Sequence, residues 1–164
     1  MRQDSFFPIF LLNILLAVGW AILTGDPTGQ GYTTGFVIGF AILALLEEHY
    51  AQKCFLLVRF IAYILVEIVL SAIQLGWNIL TPNLNQKLSP VIVGVPLELT
   101  NELGIITLAS VITLIPGTLT VDLSMDEEQG HTLFVHSLYI REPAEVQSYI
   151  KDNFERRILD FYQS

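Results

Sequence analysis

The sequence predicts a membrane-embedded α-helical N-terminal region joined to a small α+β domain, and three observations lead to that prediction. The 164 residues are 52% hydrophobic and only 15% charged, against roughly 25% charged residues in soluble domains. Long apolar runs are concentrated in residues 1–80. From residue 81 onward, hydrophobic residues alternate with polar ones or recur at helical spacing, as in a domain with a water-facing surface. We therefore predict a membrane region at 1–80 and an α+β domain at 81–164.

The charge distribution excludes several classes of function. The net charge is -8, and residues 81–164 carry five Lys/Arg against eleven Asp/Glu, a net of -6. An acidic domain of this kind argues against nucleic acid as a partner and against electrostatic docking on anionic lipid.

Cys54 is the only cysteine. A disulfide within the chain, an iron–sulfur cluster and a cysteine-rich zinc site are therefore excluded, and no cofactor is expected.

Two apolar segments near the N-terminus have the length and composition of membrane helices. Phe6–Thr24 has 19 residues without a charge, close to the roughly twenty needed to span a bilayer. It lacks a small-residue cleavage site, which predicts a retained anchor rather than a signal peptide. The turn Gly25–Gly31 precedes a shorter span at Tyr32–Leu46. Gly35 and Gly39 are four residues apart, which allows another helix to approach closely, although such a pair also arises by chance.

A third apolar helix follows the polar break Glu47–Lys53 and covers about residues 56–80. Its polar residues recur every three or four positions and so form one narrow face. Such a face either meets other protein inside the membrane or lies in the plane of the membrane surface. The length of the helix favours a span and its charge favours the in-plane arrangement. The polar face consists of Arg59, Tyr63, Glu67, Ser71, Gln74 and Asn78.

The C-terminal domain shows alternating strand and helix patterns. Pro96 limits the first strand to an edge or a bulge, and Thr100–Glu102 offers caps for the helix that follows. In chain order we predict a linker at Asn83–Ser89, a strand at Pro90–Leu99, a helix at Leu103–Ile115, a strand at Thr118–Leu123, an acidic turn at Ser124–Gly130 and a strand at Thr132–Ile140. A helix beginning at Glu142–Pro143 completes the domain, with an apolar face of Val146, Ile150, Phe154, Ile158 and Phe161.

The order β-α-β-β-α matches a ferredoxin-like split β-α-β unit that lacks the last strand. The first two strands would be parallel, with the helix 103–115 as their crossover. Pro116 stops that helix after about a dozen apolar residues, too few to span a membrane. Gly104, Thr107, Ser110 and Thr113 are each three apart, which predicts one polar helical face. Gly117 lies between a helix and a strand, a setting where a positive φ is common.

Glu67 is the strongest candidate for a functional role in the membrane region. A carboxylate among apolar residues is costly in lipid and therefore marks a functional candidate. It could carry protons or Na⁺, or it could pair with Arg59 two turns earlier or with a basic residue of another subunit. Pairing or solvation at the membrane surface is the favoured interpretation.

The polar residues of the domain favour structural roles. Asp126–Glu128 lacks the spaced oxygen ligands of a calcium loop. His131 and His136 are five apart on a strand and face opposite sides, so a shared metal is excluded. We expect a structural hydrogen bond from His136 and a turn or strand-pairing role for Asp122. No nucleophile motif, phosphate loop or dinucleotide fingerprint is present.

Several of these residues also carry a resemblance. Thr113–Asp122 reads T-L-I-P-G-T-L-T-V-D, Leu133–His136 reads L-F-V-H, and Phe154–Leu159 reads F-E-R-R-I-L. With the P-x-E-L strand at Pro96–Leu99, this order resembles the E-type subunits of the multisubunit (Mrp-type) Na⁺/H⁺ antiporters. The resemblance makes Pro116, Gly117, Thr118, Asp122 and His136 a structural motif. It implies other antiporter subunits as partners and the plasma membrane of a prokaryote as the location, and it supplies no catalytic residue.

The resemblance also implies that the domain is cytoplasmic. With two spans the N-terminus is cytoplasmic too, and the turn Gly25–Gly31, which has no Lys or Arg, is outside. Lys53, Arg59 and Lys87 are then inside, which agrees with the positive-inside rule. Three spans would place Lys53 and Arg59 outside, so charge slightly favours the two-span arrangement.

We thus predict a non-enzymatic accessory subunit of a monovalent cation/proton antiporter that supports assembly and ion transport. Related subunits occur in membrane-bound hydrogenase-type complexes, and that setting stays open. A stand-alone transporter using Glu67 would need several ionisable groups within the membrane, and a membrane-anchored enzyme would need a catalytic constellation.

Overall fold

A computed structural model of the protein describes residues 6–81, 90–126, 130–138 and 142–163. The chain divides into two compact units, one ending at Val58 and the other comprising Arg59–Gln163. The predicted linker and the tip of the acidic turn (127–129) lie outside the described residues, as does the end of the third predicted strand. The helices are α1 (Phe6–Thr24), α2 (Gly29–Leu46), α3 (Tyr50–Leu80), α4 (Glu102–Leu114), α5 (Pro143–Ile150) and α6 (Arg156–Gln163), and a π-helix at Lys151–Glu155 joins the last two. The strands are β1 (Val91–Pro96), β2 (Thr118–Asp126) and β3 (Gly130–Ser137).

In the first unit, α1 and α2 pack through small residues. A Cβ atom on Gly35 would lie 2.9 Å from the Cα of Ala17 and 2.7 Å from the Cβ of Trp20. At Gly39 the side-chain oxygen of Asn13 occupies the place of a Cβ. The packing role of the glycine pair is therefore confirmed, because any side chain at these positions would separate the two helices.

Both α2 and α3 begin earlier than the sequence pattern indicates. The carboxylate of Asp26 accepts hydrogen bonds from the backbone N–H and the hydroxyl of Thr28, and this compact turn lets α2 begin at Gly29. α3 begins at Tyr50, although Glu47–Lys53 reads as a polar break. Tyr50 is 2% exposed and its hydroxyl accepts a hydrogen bond from Asn13 Nδ2 at 3.1 Å. This long-range contact holds the first turn of α3 against α1, which polarity along the chain does not reveal.

The second unit contains the three-stranded sheet in the order β1-β3-β2. β3 is antiparallel to both neighbours, so β1 and β2 are parallel to each other, and α4 connects them. The predicted topology, a split β-α-β unit without its last strand, is confirmed. One face of the sheet and the helices enclose the core, which consists of Val93, Val95, Leu99, Ile105, Leu108, Val111, Ile112, Ile115, Leu133, Val135, Val146, Ile150, Phe154 and Ile158.

The turn between α4 and β2 has the predicted backbone. Gly117 has φ +97°, a conformation that glycine adopts without a steric cost. The hydroxyl of Thr118 donates to the carbonyls of Ile112 and Ile115, at 2.6 and 3.1 Å. These two carbonyls at the end of α4 also accept from the backbone N–H groups of Ile115 and Thr118, at 3.3 and 3.1 Å, so the hydroxyl adds a second donor to each.

The predicted polar face of α4 is wrong at Gly104. Thr107, Ser110 and Thr113 are exposed, and each hydroxyl donates to the carbonyl four residues earlier. Gly104 is buried, because the side chains of Leu99, Tyr162 and Ile158 pack over it and leave little room for a Cβ. A step of three residues turns a helix by about 300°, so the direction drifts by about 60° per step. Four positions spaced by three therefore cannot all share one face.

The last predicted helix is interrupted by the π-helix. Val146, Ile150, Phe154 and Ile158 are each four apart and all are buried. In a regular α-helix, steps of four drift by about 40° each, and the wider π turn offsets that drift. The wide turn also directs Glu155, the residue after Phe154, into the interior, where it is 1% exposed.

Candidate functional site

Two residues of the polar face of α3, Tyr63 and Glu67, contact the chain's own domain. Tyr63 donates a hydrogen bond from its hydroxyl to Asn153 Oδ1 at 3.0 Å. The guanidinium of Arg157 lies over the Tyr63 ring, 4.0 Å from its centroid, a cation–π geometry. Phe154 packs against Tyr63 and Tyr149, with ring centroids 5.9 and 5.5 Å away. The middle of the predicted face is therefore in contact with the segment 149–157, whereas Arg59 and Gln74 of the same face are exposed.

Glu67 lies in the same contact. Its Oε1 accepts a hydrogen bond from the hydroxyl of Tyr149. Burial, reinforced by this hydrogen bond and by the negative charge of Glu67, raises the pKa of the Tyr149 phenol well above its ordinary value. At neutral pH the phenol is therefore protonated and donates its hydrogen bond to Glu67.

Arg59 is not the partner of Glu67. Arg59 is exposed, and the described residues show no ion pair between the two side chains. Eight residues of α-helix correspond to about 12 Å along the axis and about 80° of net rotation. Arg59 is therefore separated from Glu67 both along and around the helix, whereas Tyr149 approaches Glu67 from the domain.

The turn after α4 lies next to Glu67. Both contribute to a cavity of about 180 Å³ within the second unit. Four of the polar or ionisable lining residues are Glu67, Ser71, Gln74 and Tyr149, and Pro116, Gly117 and Thr118 line another part of the wall. The structure thus brings together two sets of residues that lie far apart in the sequence. Ser137, which is 1% exposed, completes the polar lining.

Asp122 and His136 lie away from this cavity. Asp122 follows a β-bulge in β2, and its Oδ1 accepts from the N–H of Leu123 at 2.8 Å. His136 pairs with Leu119 and Ile92 across the sheet. The expected hydrogen bond from the His136 side chain is absent among the described residues. His131 and His136 occupy opposite faces of β3, as their spacing predicts.

Glu155 is a buried acid that sequence reasoning missed. Its Oε1 accepts hydrogen bonds from the backbone N–H groups of Glu98 and Leu99, at 2.6 and 3.1 Å. These two donors belong to the loop between β1 and α4, so one carboxylate fixes that loop against the π-helix. In the sequence, the feature that indicates Glu155 is the F-E-R-R-I-L run, because the acid directly follows an apolar residue of the buried helix face. Glu155 also lines a cavity of about 360 Å³ with Glu98, Lys151, Asp152, Arg156 and Leu159.

The contacts in this region are hydrogen bonds and a cation–π pair. In the part of the chain that the structure describes, no three His, Cys, Asp or Glu side chains converge as metal ligands. The site joins a carboxylate, two phenols, an amide and a guanidinium into a contact between one apolar helix and the domain. Such a contact holds a helix in place and restricts movement between the two.

Fold and site together define a membrane-associated protein with a packed helical hairpin and an α+β domain. Among the residues that the structure describes, three helices, α1, α2 and α3, are long and apolar enough to cross a bilayer. Residues 13–161 match the family of Na⁺/H⁺ ion antiporter subunits (MNHE), and the chain belongs to that family.

Relatives of known name match almost the whole chain. The Na⁺/H⁺ antiporter E-type subunit of Alkalihalophilus pseudofirmus is 30% identical over 155 residues, which cover 92% of this chain and 95% of the relative. The corresponding protein of Bacillus subtilis is 29% identical over 153 residues, covering 90% and 94%. The predicted resemblance to the E-type antiporter subunits is confirmed.

Two solved complexes contain chains of similar fold. A chain of the Mrp complex from Dietzia sp. DQ12-45-1b has a TM-score of 0.50 at 24% identity, covering 63% of this chain and 93% of that one. A chain of the membrane-bound sulfane sulfur reductase, an archaeal respiratory membrane complex, has a TM-score of 0.58 at 27% identity, covering 93% and 98%.

Proposed function

We propose that this chain is an accessory subunit of a multisubunit monovalent cation/proton antiporter, and that it supports the assembly rather than carrying ions itself. The match to the antiporter-subunit family over residues 13–161 is the observation that carries this proposal. Its partners are the other subunits of the complex and the lipid bilayer. The relatives named as antiporter subunits favour a transport role over an enzymatic one.

The position of Glu67 supports an accessory role. Glu67 is the only acidic residue within the apolar segments 6–24, 32–46 and 56–80. Its carboxylate accepts a hydrogen bond from Tyr149 inside the chain's own fold. An ion path usually needs several ionisable groups in succession, and here the single candidate has a structural partner.

The proposal is tested by isolation, deletion and reconstitution. Purification of the tagged subunit in mild detergent should recover other antiporter subunits. Deleting the subunit should abolish most cation-dependent proton movement in membrane vesicles by impairing assembly. Glu67→Gln should retain much of that activity, because the amide oxygen still accepts the Tyr149 hydrogen bond. Cation/proton exchange by the purified single subunit in liposomes, lost on Glu67→Gln, would instead support a stand-alone transporter.

We also propose that the domain after residue 81 faces the cytoplasm together with the N-terminus. The absence of Lys and Arg from Gly25–Gly31 supports this orientation. In a Cys54→Ser background, cysteines at Gln3 and Asp152 should both react only with reagents that enter the cell. External labelling at Gln3 with internal labelling at Asp152 would contradict the two-span arrangement.

A second setting has its own observation in favour. The similarity to a chain of an archaeal respiratory membrane complex extends over 93% of this chain at 27% identity. A related respiratory complex is therefore the alternative host. The subunits recovered with the tagged protein distinguish the two settings, because respiratory partners would bring redox cofactors with them.

A further inference from the structure

The C-terminal part of α3 has two unlike sides. On one side, Tyr63 and Glu67 of the polar stripe contact the domain. Phe60, Ile64 and Ile68 also pack against the core. A second stripe begins at Ile61, two residues after Arg59 and therefore about 200° around the helix. Its members are large, apolar and between 48% and 82% exposed: Ile61, Leu65, Val69, Ile73, Trp77 and Leu80.

We infer that residues 59–80 lie in the plane of the membrane surface, with the second stripe in the lipid and the domain on the water side. The helix then anchors the domain to the bilayer along its length. This inference concerns the third apolar helix alone and does not depend on which complex contains the subunit.

The contacts of α3 exclude a transmembrane position for it. A span of about twenty residues placed anywhere within Tyr50–Leu80 includes residues 61–69. Tyr63 and Glu67 would then be inside the hydrocarbon, and their partners Asn153, Arg157 and Tyr149 with them. Asp152 and Arg156, exposed charged residues next to those partners in the chain, would enter the lipid as well, and each would cost about 3 kcal/mol of insertion free energy. An in-plane helix avoids that cost because only its apolar stripe is immersed.

The composition of the second stripe and the short connection from α2 to α3 both favour lipid as the group that covers this stripe. The stripe extends over five helical turns without an ionisable residue, and Trp77 has the amphipathic ring that favours the interface. α2, a helix with the length and apolar composition of a span, ends at Leu46, only three residues before α3 begins. The start of α3 is therefore held near the membrane. Helices of this kind insert about 5–10 Å below the headgroups.

Depth measurements on the assembled complex in liposomes test the inference. In a Cys54→Ser background, spin labels are placed singly at Ile61, Leu65, Val69 and Ile73, and their exposure to oxygen and to a water-soluble nickel reagent is compared. All four labels should report shallow depths without a steady trend, with Leu65 and Val69 somewhat deeper than Ile61 and Ile73 because each step of four turns the helix by about 40°. A transmembrane helix would instead change depth by about 6 Å per label, since each step is four residues.

Two control labels calibrate the scale. Leu15 of α1 is 59% exposed and should report the apolar interior, whereas Asp152 is exposed on the domain and should report water. A steady gradient from Ile61 to Ile73 would overturn the inference in favour of a span. Low exposure of all four labels to both reagents would overturn it in favour of cover by another subunit.

A second measurement needs no label on α3. With Trp20→Phe, Trp77 is the only tryptophan of this subunit, and the same complex with Trp77→Phe in addition gives the background from the other subunits. Phospholipids brominated near the headgroup should quench its fluorescence more strongly than those brominated near the chain end. The reverse order, or no quenching by either lipid, contradicts an in-plane position.

Discussion

The α1–α2 hairpin and the contact between α3 and the domain both attach a long apolar helix to another element, but with opposite kinds of side chain. The hairpin uses Gly35 and Gly39, which let the helix backbones approach each other. The α3 contact uses Tyr63, Glu67, Tyr149 and Arg157, which form hydrogen bonds and a cation–π pair. Their surroundings account for the difference. Between helices in lipid the hydrophobic effect contributes little, so close packing must hold them together.

A domain surface beside water can use both apolar burial and polar partners. Phe60, Ile64 and Ile68 supply apolar contact with the core. The hydrogen bonds of Tyr63 and Glu67 fix the position of the helix on the domain. The hairpin helices and α3, which are all strongly apolar, are therefore held by different interactions: close packing in the hairpin, and apolar burial with hydrogen bonds at α3. The predictions that follow test each side of this contrast.

The largest effect is expected for Gly35→Leu in the hairpin. The new side chain would overlap the backbone of Ala17, and overpacking of this kind costs about 3 kcal/mol. We expect the abundance of the subunit in the membrane to fall several-fold, measured by immunoblot at equal expression. Gly19→Ala is the matched control, because a Cβ at Gly19 meets no atom within 4 Å. Equal loss in both variants would contradict the close-packing account.

Glu155→Ala should have the next largest effect, in the domain. It leaves the N–H groups of Glu98 and Leu99 without their acceptor, at a cost of about 2–3 kcal/mol. The midpoint of thermal unfolding of the purified complex should fall, and Glu155→Gln should restore part of the loss because its amide oxygen can still accept. Asp152→Ala, at an exposed position nearby, is the control. Unchanged unfolding of Glu155→Ala would show that water replaces the carboxylate fully.

Gly117→Val should destabilise the turn between α4 and β2. A β-branched residue at φ +97° is strained, at about 1–3 kcal/mol. We expect less folded subunit and a lower thermal midpoint. Thr118→Val tests the neighbouring position without the backbone effect, since it removes only the hydroxyl that donates to Ile112 and Ile115. If Gly117→Val unfolds no earlier than Thr118→Val, the positive φ has no energetic importance.

Tyr149→Phe should have a smaller effect on the α3 contact. It removes the hydrogen bond to Glu67 and retains the ring against Phe154, so we expect a loss of about 1–2 kcal/mol. The thermal midpoint should fall slightly while the complex still assembles. Complete loss of assembly would mean that the phenol has a role beyond this contact.

The smallest effect is a dependence on alkaline pH. The pKa of the Tyr149 phenol is raised in the folded state, so its contribution to stability is fully present below the unfolded pKa of about 10. The contribution is lost as pH rises through the folded pKa. The stability advantage of the wild type over Tyr149→Phe should therefore persist at pH 8–9 and decline above about pH 10. An advantage that does not decline at alkaline pH would contradict the raised pKa.

Several features of the fold follow from the sequence alone: the order of the elements, the bounds of α1, the glycine face of α2 and the positive φ at Gly117. These features are local, because they depend on hydrophobic period, on helix-breaking residues and on backbone conformations that only glycine favours. The sheet topology also followed from the sequence, because a parallel pair of strands needs a crossover and α4 was the available one. The antiporter-subunit motifs identified the family.

The partners of Tyr63 and Glu67 in the polar stripe of α3 became visible only in the folded chain. Glu67 had four candidate roles from sequence, and none of them was a hydrogen bond from Tyr149, which is 82 residues away. Glu155 was missed for the same reason, since its partners Glu98 and Leu99 are more than fifty residues earlier. A periodic pattern shows that a helix has a polar face, but the pattern is the same whichever group meets that face. The partner is fixed by the packing of distant segments, which no local pattern encodes.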